Sequence, residues 1–141
     1  MFRGKEGFTL VELLIVLAVI AALLATITPI AVGAVRKAKI SKVAANLRNL
    51  AAAVQSCLAM NEGATSSCND KDTELVGKYI NTDPGSEYGV AASGSDYLVV
   101  YFDSDDPKCE KINEVYKEAT NTTCKDGASG KKCCVAVRAA W

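Results

Sequence analysis

Apolar positions along the chain change their spacing twice. From Leu13 to Val35 they dominate, with no ionisable residue, a run long enough as a helix to cross a hydrocarbon core of roughly 30 Å. From Ile40 the spacing becomes three or four, through Val43, Leu47, Leu50, Val54 and Cys57. That is the stripe of an amphipathic helix packed on one side. Alanine fills much of the remainder, a strong helical choice. No proline or glycine interrupts from Ala34 to Glu62, and Gly63 supplies a C-terminal stop. The pattern predicts one helix from about Phe8 to Met60, about 80 Å long. Its first half needs lipid or other helices around it, and its second half needs a sheet. Pro29 sits inside the apolar run and removes one backbone donor, so it bends or loosens the helix there.

Beyond the helix the spacing turns to alternation. Asn61–Asp72 is polar and reads as loop. Glu74–Ile80 reads as a short helical turn, closed by Asp83-Pro84-Gly85. Glu87–Ala92 and Tyr97–Phe102 read as a hairpin across Ser93–Asp96. In the second strand Leu98, Val100 and Phe102 share the face assigned to the long helix. Tyr97, Val99 and Tyr101 face solvent or a neighbouring subunit. Asp106 is expected to cap a helix from Pro107 to about Ala119. Lys132–Ala139 is the final strand, with Val135 and Val137 marking its buried face, Cys133 inward, and Cys134 outward with Arg138. The fold class expected is α+β: a long N-terminal helix, apolar then amphipathic, on a small antiparallel sheet. The expected boundaries are 1–7, 8–35, 36–61 and a head at 62–141.

The 141 residues suffice for one modest domain. Lysine plus arginine and aspartate plus glutamate each number 16, so bulk charge selects no partner. There is no histidine, which removes the commonest general base and the commonest zinc ligand. Nothing in the chain calls for catalysis or a cofactor. Five of the six cysteines lie beyond Glu62, and in a small non-cytosolic head they suggest disulfides. No spacing fits a zinc site.

Glu12 decides among readings of the N-terminus. An ordinary signal peptide cut near Val32-Gly33-Ala34, or a plain anchor, has no use for an acid at the start of its apolar helix. Burying that carboxylate in lipid costs a few kcal/mol unless it meets a cation. Cutting the chain after Gly7 creates an amine on Phe8, about 6 Å away along the same helix. The pair can also form between neighbouring subunits. On this reading the acid is accounted for only after cleavage.

The string Gly7-Phe8-Thr9-Leu10-Val11-Glu12-Leu13-Leu14-Ile15-Val16 closely resembles the class III signal of type IV pilins and type II secretion pseudopilins. The resemblance covers roughly residues 4–35. It implies cleavage between Gly7 and Phe8 by a membrane prepilin peptidase and methylation of the new Phe8 amine. It implies that Glu12 pairs with the Phe8 amine of an adjacent subunit during assembly. Pro29 matches a helix-loosening proline of the family. The partners implied are copies of the chain in a helical homopolymer, the peptidase, and an assembly platform in the inner membrane, with no specific nucleic acid. The precursor would be single-pass in the cytoplasmic membrane with its head outside, and the product an extracellular filament.

Arg36, Lys37, Lys39, Lys42 and Arg48 follow the apolar run with no acid between them and outnumber Arg3 and Lys5 of the leader. A positive-inside count alone would place the head in the cytoplasm. The disulfide-type head and the leader argue for the opposite orientation. The basic run reads as a solvated face, or one paired with acids on a neighbour, in preference to a phosphate-binding surface.

In the head, adjacent Cys133 and Cys134 point to opposite faces and should take different partners. Cys57 can reach Cys68 or Cys133; the preferred set is Cys57–Cys68, with Cys109 and Cys124 taking Cys133 and Cys134 in either order. Asp103, Asp105 and Asp106 are weak calcium candidates, since closely spaced carboxylates suit that ion, but they do not complete an EF-hand loop. Asn121-Thr122-Thr123 fits a glycosylation triplet. Three functions remain: a structural pilin, a pseudopilin of a secretion or DNA-uptake machine, and a secreted or membrane-anchored binding protein.

Overall fold

The computed structural model describes residues 7–62, 64–69, 75–93, 97–121, 124 and 130–138. Helix α1 runs Leu10–Met60, 51 residues without a break, and passes through Pro29. The chain divides into two units, Met1–Lys37 and Ala38–Trp141.

In the first unit every described residue is exposed. Leu13, Leu14, Ile15, Val16 and Leu17 each leave about half their surface uncovered. Such a helix, by length and composition, can cross a membrane. Its two threonines are already satisfied: Thr26 Oγ1 donates to the Leu23 carbonyl at 2.8 Å and Thr28 Oγ1 to that of Leu24 at 2.7 Å. Satisfied hydroxyls are what a lipid-facing helix requires. Proline has no N–H to give the Ala25 carbonyl, so Pro29 marks the point where this ladder lacks a rung.

The second unit holds the rest of α1 and the sheet. Strands β1 (Tyr88–Ser93), β2 (Tyr97–Phe102) and β3 (Cys133–Arg138) pair antiparallel in the order β1-β2-β3. Val90 lies opposite Val100, and Val100 opposite Val135. One sheet face therefore presents Tyr88, Val90, Leu98, Val100, Phe102, Val135 and Val137, which pack with Val43, Leu47, Leu50 and Val54 of α1. Leu47, Leu50, Val54, Leu98 and Val100 are fully enclosed. Burying side chains of this size contributes about 1.5–3 kcal/mol each, so the stripe is the main support of the head.

Several local expectations need correction. The face assigned to solvent or a neighbour is covered within the chain: Val99 packs with Cys124 and Cys134, with Ala91 and Tyr101 beside them. Cys134 is thus on the outer face yet buried. The side chain of Tyr97 lies outside the described residues. Strand β1 starts one residue later than expected. The helix placed at Pro107–Ala119 is the shorter α2, Cys109–Val115, and Lys108 stands at its start without a side-chain cap. The Asp106 carboxylate is engaged elsewhere, with Lys39 at 2.7 Å. Asn113 helps end α2, donating its amide to the carbonyls of Lys117 and Ala119 at 2.9 Å each. Such side-chain bonds compete with helical ones. The chain then pairs with β3, where Thr120 and Cys134 exchange two backbone bonds of 2.9 Å.

At the end of α1 the left-handed turn is taken by Glu62, with φ 51°. Gly63, the expected stop, lies outside the described residues. Asn61 closes the helix, donating both its backbone N–H and its side-chain amide to the Cys57 carbonyl at 3.0 and 2.9 Å. The segment expected as a helical turn at Glu74–Ile80 closes on itself from Leu75: the N–H groups of Tyr79 and Ile80 both reach the Leu75 carbonyl. Glu74 lies outside the described residues. At Asp83-Pro84-Gly85 the Asp83 carboxylate accepts the Gly85 N–H at 2.9 Å, and Gly85 takes φ 116°, open to glycine.

Candidate functional site

Residues Gly7, Phe8 and Thr9 are not helical, and α1 begins directly behind them. The first intrahelical bond runs from the Leu13 N–H to the Thr9 carbonyl at 3.2 Å, which makes Thr9 the residue that caps the helix. Its hydroxyl accepts the Glu12 N–H at 3.2 Å. In return Glu12 Oε2 accepts the Thr9 N–H at 2.7 Å and the Thr9 hydroxyl at 2.9 Å. This reciprocal arrangement is a capping box, and the sequence Thr-x-x-Glu is its signature.

The box corrects one step of the sequence reading. Glu12 has a partner within the chain itself, because Thr9 supplies two donors to its carboxylate. Thr9 is the residue that reading missed, although Thr9-Leu10-Val11-Glu12 shows the required spacing. Gly7, Phe8, Thr9 and Glu12 together line one concavity at the head of the helix. No catalytic group stands among them. What the arrangement offers is an exposed peptide bond followed by a helix whose acid is held close by.

The six cysteines form three pairs: Cys57–Cys68, Cys109–Cys133 and Cys124–Cys134, with Cα separations of 5.9, 5.1 and 5.2 Å. These fall within ordinary disulfide geometry. The first ties the end of α1 to the loop behind it. The second joins the start of α2 to the inner face of β3, and the third closes over the outer face.

Asp103, Asp105 and Asp106 each hold a lysine. Lys131 reaches Asp103 at 2.8 Å, Lys132 reaches Asp105 at 3.5 Å, and Lys39 reaches Asp106 at 2.7 Å. The Lys131 ammonium also lies 4.8 Å from the centre of the Tyr101 ring, and its hydrogen bond to Asp103 holds it above the usual lysine range. Among the described residues no group of three or more His, Cys, Asp or Glu is placed to hold a metal. Of the basic run, Lys39 is therefore paired within the head. Arg48 lies 4.9 Å over the ring of Tyr116. Thr122 and Thr123 of the triplet lie outside the described residues, as do Arg3 and Lys5.

Behind Gly7, Phe8 and Thr9 thus stands a capped helix, exposed throughout its first unit and long and apolar enough to cross a membrane. Residues 2–28 match the family model for the prokaryotic N-terminal methylation motif, and the chain thus carries the class III prepilin signal of type IV pilins and pseudopilins. No curated protein and no solved structure matches the chain.

Proposed function

We propose that this chain is a structural pilin, cut after Gly7, methylated on Phe8 and polymerised through its N-terminal helix into an extracellular filament. The observation that carries the reading is the methylation motif on a helix whose apolar first half is exposed among the described residues. Lipid supplies that cover before assembly, and the helices of other copies supply it afterwards. A membrane prepilin peptidase, an assembly platform in the inner membrane, and further copies of the same chain are the partners. In this scheme Glu12 passes from Thr9 to the Phe8 amine of a neighbouring copy. Pro29 is where the helix loosens on entering the filament.

Gly7 fits the same scheme. Among the described residues a Cβ added there would meet nothing within 4 Å, so packing against them does not select glycine. An enzyme closing on the backbone does. The head faces outward, where its three disulfides are stable. Pseudopilins share the N-terminus, and the covalently bridged head favours a surface-exposed pilin over them.

The deciding experiment is N-terminal sequencing and mass measurement of the mature protein, followed by electron microscopy of surface filaments with and without the gene. A first residue of methylated Phe8 supports the proposal, and loss of filaments with the gene completes it. A start at Val35, or an uncut Met1, overturns it.

A further inference from the structure

The capping box does more than hold an acid. We infer that Thr9 is the positioning residue that keeps the Gly7–Phe8 bond in non-helical backbone, where a peptidase can take it; the inference rests on the cleavage reading above. Cleavage is hydrolysis. Water adds to the Gly7 carbonyl carbon, the bond to the Phe8 nitrogen breaks, Gly7 leaves as a carboxylate, and Phe8 gains the proton as an amine. The Gly7 carbonyl must therefore be free to be attacked. Proteases accept exposed, irregular backbone far more readily than helix, because a helical carbonyl is already tied to an N–H four residues on.

With Thr9 as the cap, the first carbonyl drawn into the ladder is that of Thr9 itself, bonded to the Leu13 N–H. The Gly7 carbonyl stands two residues outside. Leu10 and Val11 cap poorly, so loss of the Thr9 hydroxyl does not move the helix start inward to a better residue. Gly7 is the nearest residue that caps well. A helix restarted from Gly7 would place Phe8 in its first turn and offer the Gly7 carbonyl to the Val11 N–H. The bond to be cut would then lie at the helix boundary with its carbonyl occupied. The hydroxyl of Thr9 and the carboxylate of Glu12 fix the boundary together, and Thr9 makes the decisive contact since it gives the cap.

The test uses the purified full-length chain in detergent micelles with a purified prepilin peptidase, comparing initial cleavage rates. Thr9→Ala removes the cap and favours helix, and is expected to slow cleavage about fivefold or more, the factor a typical N-cap contributes to where a helix starts. Thr9→Ser and Thr9→Asn restore a cap with different shapes and are expected to stay within about twofold of wild type. Glu12→Gln keeps the box without the charge and should also be cut normally. Backbone chemical shifts of Gly7 and Phe8 provide the second readout, turning helical in Thr9→Ala alone. Equal rates for wild type and Thr9→Ala overturn the inference. So does a Thr9→Asn as slow as Thr9→Ala, which would mean that the peptidase reads the threonine itself. If wild type is not cut after Gly7 at all, the cleavage reading fails first, and the two failures are told apart.

Discussion

Tyr101 lays its phenol ring across Gly89, its partner in the neighbouring strand. A Cβ on residue 89 would collide with the ring and the hydroxyl oxygen. The Lys131 ammonium lies 4.8 Å from the centre of the same ring, and Lys131 in turn holds Asp103. One small residue thus sets the height at which a tyrosine, a lysine and an aspartate stack over the outer sheet face.

Gly89→Ala should destabilise the head by about 1–3 kcal/mol, the usual cost of inserting a methyl group where no room exists. Removing the obstruction should remove most of that cost. In a Tyr101→Ala background the same change is expected to cost about 0.5 kcal/mol or less, since the two residues no longer share a contact. Urea unfolding of the four proteins, followed by circular dichroism, measures the coupling. Additive effects would show that the collision is relieved elsewhere.

Glu12→Ala should leave membrane insertion intact or improve it, because a carboxylate is removed from the start of an apolar helix. Filament assembly should fall sharply. Comparing the membrane fraction with sheared surface filaments separates the two effects. Normal filament yield would mean that the acid takes no part in assembly.

The lysine partners of Asp103, Asp105 and Asp106 imply a response to calcium that differs from that of a binding loop. Adding millimolar calcium should leave the melting temperature of the head unchanged, whereas a ligand bound only to the folded state would raise it. Asp106→Asn should cost less than about 1 kcal/mol, as exposed pairs of this kind do. A clear upward shift in melting temperature with calcium would refute the assignment of these carboxylates to lysine.

Alkaline pH offers a further check. Burial, then the hydrogen bond from its hydroxyl to Glu118 and the charge of that acid, push Tyr116 from 10.0 up to about 12, while Arg48 acts in the opposite direction. Below the unfolded value of 10.0 both states keep the phenol proton, and the contribution of this group to stability is fully present and does not change with pH. As pH rises from there towards 12 the unfolded chain loses the proton first, so the folded state loses its advantage. Tyr88 is shifted in the same direction, chiefly by burial. Denaturant midpoints measured across this window should fall with pH, and Tyr116→Phe should flatten the fall. An equally steep decline in the variant would remove Tyr116 from the explanation.

The parts of the fold that were legible in the sequence are those governed by spacing within one element. The stripe from Val43 to Cys57 and the alternation of Leu98, Val100 and Phe102 each name a buried face, because side-chain direction follows local geometry. The N-terminal motif was legible for a related reason, since its residues are contiguous. What the sequence did not disclose depends on segments far apart in the chain. Nothing local says that Cys124 returns to cover Val99, or that Lys39 reaches Asp106 across the head and leaves α2 without its expected cap. Gly89 under Tyr101 is likewise a matter of strand register, and register is set by the whole sheet. Thr9 is the exception. Its pairing with Glu12 spans only three residues, and the Thr-x-x-Glu spacing that marks it is local.

The three disulfides turn the stretches 57–68, 109–133 and 124–134 into closed covalent rings, the last two overlapping. Severing a single peptide bond inside any ring opens it without detaching either half. A head nicked at one such bond therefore remains one connected molecule, its halves held by sulfur instead of backbone.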